Sequence, residues 1–207
     1  MRENVLETGA FLEATKNIST YQADYTFLQG VDSLEGFLIP DTYRISQSAD
    51  AEGIIRVMLD EFEKKIAPTY GQLGENAYET LIMASIVERE ERSSENRPTV
   101  AGILWKRLRE GIALGADVTL CYGYQKTNTE CTPSFIAEYI TEDNPYNTRY
   151  TLGLPPTPIS SVSIGSWNAA VSPADSAYYF YLHGTDGVIH YATTNEEHVR
   201  NKNLYLR

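Results

Sequence analysis

Apolar side chains along residues 51–66 recur at three- and four-residue steps: Ala51, Ile54, Ile55, Met58, Leu59, Phe62 and Ile66. That spacing collects them on one face of a helix, which Pro68 and Gly71 are expected to end. The pattern changes in the next helix, about 76 to 92. There Leu81, Ile82, Met83, Ala84, Ile86 and Val87 go all the way round the axis at ~100° per residue. A helix apolar on every side belongs in the middle of a domain. A third helix, about 98 to 110, starts near Pro98 and carries Val100, Ile103, Leu104 and Leu108 on one face. Lys106, Arg107 and Arg109 suit its C-terminal dipole, and Gly111 is a natural stop.

The remaining chain is more broken. "SLEGFLIPDTYRI" (33–45) reads as an extended segment interrupted by Pro40, and 112–125 as short extended pieces. "TPSFIAEYI" (132–140) reads as a short helix with Thr132 as N-cap. The Pro-rich stretch "NPYNTRYTLGLPPTPIS" (144–160) is long for a mere connection. A helix near 164–171 follows, then "AYYFYL" and "GVIHYA" around "HGTDG", the best hairpin signal in the chain. Thr194 and Glu197 form a capping box that opens a last helix. Residues 1–32 are a weakly patterned lead-in with a helical stretch around "GAFLEAT". Helices cluster first and the hairpin comes late. The fold class is therefore α+β, a helical core with short strands and a late β-hairpin around the central buried helix.

Composition narrows the function. The chain has 207 residues, 42% hydrophobic and 22% charged, which suits one ordinary globular domain. Its net charge of −11 disfavours nucleic acid and anionic lipid, whose own charge it would repel. Fifteen Tyr fit a carbohydrate groove or an interface, and fit plain packing more readily. Two Cys ten positions apart and three His offer no zinc framework. Cys121 and Cys131 are compatible with a disulfide and with two separate thiols. No apolar run reaches the length of a membrane span, and the start lacks a signal-peptide pattern.

The chemistry concentrates in "ASIVEREE" (84–91). Glu88 stacks on the side of Leu81 and Ala84, Glu90 points nearly half a turn away, and Glu91 lies between. A carboxylate beside the apolar stripe is partly desolvated, which should raise its pKa and suit it to general acid work. An ion pair with Arg92, its i+4 neighbour, explains Glu88 equally well. Glu90 and Glu91 are expected to be solvated charges. Further polar candidates are Glu35, Asp41 and Tyr43 beside Pro40, Asp117 in "GADVTLCYG", and Tyr146, Asn147 and Thr148, the last three able to line a sugar groove or hold a turn. His190 and His198 read as structural histidines, and Ser85 and Ser163 lack a base partner in sequence. No P-loop or dinucleotide fingerprint occurs.

Seven segments in order carry a resemblance: "LEGFLIPDTYRI" (34–45), "ASIVERE" (84–90), "GILWKRL" (102–108), "LGADVTLCYG" (114–123), "PYNTRYTLGLPPTPIS" (145–160), "AAVSPA" (169–174) and "DGVIHYATTNEEH" (186–198). Together they resemble the catalytic domain of the YceG-like family, the endolytic murein transglycosylases known as MltG, from about residue 33 to 207. The resemblance implies cleavage of the β-1,4 bond between N-acetylmuramic acid and N-acetylglucosamine within nascent peptidoglycan strands, leaving 1,6-anhydro ends and no need of water or cofactor. It places the family's catalytic glutamate on Glu88 and retains Glu35, Asp41, Tyr43, Asp117, Tyr146, Asn147 and Thr148, which would position sugar or hold Glu88. It also implies glycan strands and the cell-wall synthesis machinery as partners, and the extracytoplasmic face of the bacterial membrane as the location. The family's N-terminal membrane anchor and LysM-like part have no counterpart in this sequence. Departures fall at Ile39, at Ala116, Val118 and Leu120, at Thr157, at Ser161-Val162-Ser163 and at Val199. Two other readings use the same residues: a muramidase that admits water through a second carboxylate, Asp117 or Glu35, and a glycan-binding module without activity. A pyridoxal-phosphate lyase is disfavoured, since Lys64, Lys65, Lys106, Lys126 and Lys202 all read as solvated residues.

Overall fold

The computed structural model describes residues 8–46 and 48–206. Helix α1 (Thr8–Lys16) and the single turn α2 (Ser19–Gln22) lead into an irregular stretch that reaches α3 (Ala51–Lys65). Asp50 caps α3 by accepting from the Gly53 N–H, and its apolar stripe buries Ala51, Ile55, Leu59 and Phe62. Helix α3 ends before Pro68, as expected. Pro68 sits in the first turn of a short helix, α4 (Ala67–Gln72), where its missing N–H costs nothing.

Helix α5 (Ala77–Glu90) is the expected central helix. Every residue from Thr80 to Val87 is buried, and it packs against α4, α6 (Arg97–Arg109), α7 (Asp117–Gly123) and α9 (Ile164–Val171). Glycine lets α6 come close to the chain that follows α9: a Cβ on Gly102 would lie 2.0 Å from the Ala174 carbonyl oxygen. The 112–125 stretch departs from the extended reading, since Asp117–Gly123 is α7. Its Val, Thr and Cys content favours strand, but Leu120 and Cys121 are buried only when the segment coils against α5. Helix α8 (Pro133–Tyr139) has the expected Thr132 cap, accepting from the Phe135 N–H at 3.2 Å. Cys121 and Cys131 are disulfide-bonded, tying α7 to the loop before α8.

The hairpin forms as predicted, with β1 (Phe180–His183) antiparallel to β2 (Ile189–Ala192) and Tyr181 opposite Tyr191. Helix α10 (Asn195–Tyr205) opens with the full Thr194–Glu197 capping box and packs on both strands. The architecture is α+β, with one two-stranded sheet on a helical core. The hairpin's Tyr181 and His183 face the C-terminal end of α5, and this junction positions the site.

Candidate active site

The last turn of α5 and the residue after it carry three glutamates with three different fates. Glu88 is clamped. Its Oε1 accepts from the Arg97 guanidinium at 3.1 Å, and its Oε2 accepts from the Ser163 N–H at 3.0 Å and the Ser163 hydroxyl at 2.5 Å. Ser163 is also the N-cap of α9, so the carboxylate ties α5, α6 and the start of α9 together. Burial pushes its pKa up, but the Ser163 hydrogen bonds and the Arg97 charge outweigh it and leave the pKa below the usual value. The expectation of a raised acid at Glu88 is therefore corrected. Its ion-pair partner is Arg97, nine positions on, and not Arg92.

Glu90 has the opposite environment. It lies nearly half a turn from Glu88 and lines a cleft of about 570 Å³ between the end of α5, loop 114–118, the hairpin and α10. Tyr181 donates to it at 2.8 Å. Burial raises its pKa, and the nearby Asp117 carboxylate raises it further against the pull of Tyr181, His183 and Arg149. Glu91 is only 3% exposed, accepting from the Ser93 N–H at 2.6 Å and meeting His183 Nε2 at 3.1 Å. Neither is the solvated charge expected from the local sequence. Helical angle alone could not reveal this, because the groups that cover Glu90 and Glu91 arrive from a hairpin about ninety residues later.

Asp117 joins Glu90 in the cleft and pairs with Arg149. Asn147 and Thr148 lie two and one residues before Arg149, but both are buried. The Asn147 amide reaches the carbonyls of Tyr139, Ile140 and Glu142 at 2.9–3.2 Å. Thr148 accepts from the Ala116 N–H at 3.1 Å and meets the Thr119 hydroxyl at 2.9 Å. Both side chains are bonded to protein groups, Asn147 to the turn that follows α8 and Thr148 to the start of α7, which is the turn-holding alternative of the sequence reading.

The other predicted residues lie elsewhere. Tyr146 hydrogen-bonds Thr157 at 2.8 Å and packs its ring 5.2 Å from that of Tyr122. Glu35 lines a separate cleft of about 510 Å³ with Leu34, Leu38 and Ser161, and burial raises its pKa against the Arg89 charge. Asp41 is an exposed partner of Lys65 on α3 at 2.9 Å, and Tyr43 donates to the Ile39 carbonyl at 2.7 Å. These last two reach neither cleft.

Arg97, Arg107, Arg149, Tyr181, His183 and His198 were not singled out for the site from sequence. A signal existed for two of them, since Tyr181 and His183 alternate on β1 and so share one face. No group of His, Cys, Asp and Glu among the described residues is arranged to hold a metal ion. A carboxyl on a cleft wall, beside a second carboxylate held by an arginine, is equipped to donate a proton to a bound leaving group and take one back.

Comparison with known proteins gives this geometry a family. Residues 3–204 match the sequence profile of the YceG-like family. Two relatives named endolytic murein transglycosylase, one from Streptococcus pneumoniae strain D39 and one from Bacillus subtilis, are 31% and 28% identical over 173 and 177 residues. The matches cover 81% and 84% of this chain, but only 31% and 48% of those relatives, so the chain spans a third to a half of their length. The crystal structure of a YceG-like protein from Listeria monocytogenes superposes with a TM-score of 0.82 at 28% identity, over 94% of this chain and 67% of that one. With the profile spanning nearly all of its residues, the protein belongs to the YceG-like family.

Proposed function

We propose that this domain is an endolytic lytic transglycosylase of peptidoglycan glycan strands and that Glu90 is its acid and base. The observation that carries the assignment is the place of the Glu90 carboxyl, which lines a 570 Å³ cleft together with Asp117 and accepts from Tyr181 at 2.8 Å. Relatives bearing the name endolytic murein transglycosylase supply the substrate class. In the reaction the Glu90 carboxylic acid protonates the glycosidic oxygen as its bond to the muramoyl anomeric carbon breaks. The resulting carboxylate takes the proton of that sugar's C6 hydroxyl, whose oxygen bonds to the anomeric carbon. The products are a free hydroxyl on one strand and a 1,6-anhydro end on the other, and the acid is restored without water. Asp117, held by Arg149, offers negative charge to the cationic sugar between these steps.

Glu88 in this reading is a clamp, because a carboxylate with three donors and a lowered pKa is a poor proton donor at neutral pH. The place of action is the cell envelope outside the cytoplasmic membrane, alongside the enzymes that polymerise the strands. The Cys121–Cys131 disulfide suits that oxidising side. Among the described residues no helix is long and apolar enough to cross a membrane.

The test is a pair of isosteric variants assayed on uncrosslinked glycan strands, with products weighed by mass spectrometry. Glu90→Gln should abolish release of anhydro ends while remaining folded, and Glu88→Gln should retain turnover at reduced stability. A folded Glu88→Gln protein without turnover, beside an active Glu90→Gln, would return the role to Glu88. Products heavier by one water would identify a muramidase.

A further inference from the structure

The Glu35 cleft, of about 510 Å³, belongs to the side of α5 that carries Leu81, Ser85 and Glu88. At steps of four and three these residues form one ridge of the helix. Leu81 meets the 33–38 segment: a Cβ on Gly36, whose φ is +88°, would lie 3.2 Å from Leu81 and 2.8 Å from Pro158. The Ser85 hydroxyl accepts from the Ile159 N–H at 2.9 Å, and the Ser85 carbonyl accepts from the Ser160 hydroxyl at 3.0 Å. Glu88 then accepts from the Ser163 N–H at 3.0 Å. One ridge therefore fixes both the 33–38 segment and the 157–163 loop, and the cleft opens between Glu35 of the first and Ser161 of the second.

The Glu35 carboxyl is partly desolvated, yet among the described residues no side chain hydrogen-bonds it or forms an ion pair with it. Arg89, whose charge it feels, donates instead to Asn128 Oδ1 at 2.5 Å. The segment itself is held, since the Ser33 hydroxyl accepts from the Glu35 N–H at 3.0 Å. A carboxyl drawn out of water without replacement donors is costly, and a ligand that brings donors recovers that cost. The walls indicate its chemistry: Phe11, Leu12 and Leu38 give an apolar surface, edged by the hydroxyls of Ser33 and Ser161. An N-acetylated sugar matches both parts, because its ring has an apolar C–H face while its hydroxyls and acetamide N–H are donors. The volume lies within the range of small-molecule sites, about 300–1,000 Å³.

We infer that the Glu35 cleft is a subsite for an N-acetylated sugar ring of the glycan strand, in which the Glu35 carboxyl accepts hydrogen bonds from the ring's hydroxyl or acetamide groups. The inference rests on the reading of this domain as a glycan-strand enzyme, and it holds whichever glutamate of α5 is the acid. An enzyme that cuts within a strand must grip sugars beyond the broken bond, and a carboxyl fixed by backbone contacts to the ridge of α5 offers that grip.

Two measurements test it. Titrating the isotope-labelled chain with an N-acetylglucosamine tetramer should move the backbone amide signals of Ser33, Glu35, Leu38 and Ser161 most. Glu35→Ala should weaken that binding about tenfold, the scale of one hydrogen bond to a charged group. On uncrosslinked strands the same variant should raise KM about tenfold with kcat held within about threefold. Glu35→Gln, which still hydrogen-bonds a hydroxyl, should recover most of the loss. Amide shifts that bypass these residues, unchanged binding by a folded Glu35→Ala chain, or a fall in kcat at constant KM would overturn the subsite. Failure of the underlying reading is separate: the wild-type chain would then leave the strands uncut, and the titration alone would decide the subsite.

Discussion

Replacing Ser163 by alanine separates a clamp from a catalyst. The Ser163 hydroxyl donates to Glu88 at 2.5 Å, accepts from Arg97 at 3.0 Å and caps α9 through the Ser166 N–H at 3.3 Å. A hydrogen bond to a charged group contributes about 1.5–3 kcal/mol, and loss of an N-cap costs about 1 kcal/mol. These share one oxygen and do not simply add, so the variant should lose about 3 kcal/mol. For a chain of this size that lowers Tm by roughly 6–12 °C. Urea unfolding at pH 7 should show the loss as a lower midpoint with an unchanged slope. Turnover on glycan strands at 25 °C should fall less than about threefold, because the Glu90 cleft lies on the other side of α5. A variant with wild-type stability and turnover reduced a hundredfold would refute this division, because Ser163 would then be tuning an acid at Glu88.

Two further outcomes follow from the same chemistry. Glu90 has a folded pKa above its unfolded one, so the folded state holds the extra proton and wild-type stability falls as pH rises from about 4.5 through the folded value; Glu90→Gln removes that loss and should raise Tm at pH 8 while leaving it unchanged at pH 4, as read by calorimetry at both pH values. Reducing the Cys121–Cys131 bond, which closes a loop of separation 10, should destabilise the chain by about 2.7 kcal/mol on the loop-entropy scale, and a Cys121→Ser, Cys131→Ser protein unfolding at the wild-type urea midpoint would contradict it.

Much of the fold was legible because its signals are local. The stripe of α3, the all-round apolar surface of α5, the Thr132 and Thr194 caps and the "HGTDG" turn each sit within a few residues of what they specify. Helix α7 was missed for the complementary reason: its residues favour strand locally, and packing against α5 decides otherwise. The site was half legible. Helical geometry pointed to the last turn of α5 and separated its glutamates by angle, and the motif around Asp117 contains the carboxylate that shares the Glu90 cleft. Choosing between the glutamates required their distant partners, Ser163 and Arg97 for one and Tyr181 and His183 for the others.

The choice between Glu88 and Glu90 also shows why proximity to apolar residues is a poor guide to pKa. Glu88 lies beside the buried stripe, yet three donors, one of them cationic, outweigh its desolvation. Glu90 points away from that stripe, towards what would be water if the chain ended at α5. The hairpin and α10 close over this side, and desolvation with the like charge of Asp117 outweighs the pull of Tyr181, His183 and Arg149. What decides the protonation state is the balance between lost hydration and the donors that replace it. On one helix end that balance runs in opposite directions two residues apart. An acid must keep its proton until substrate arrives, and the proposal gives that part to the less compensated of the two carboxyls.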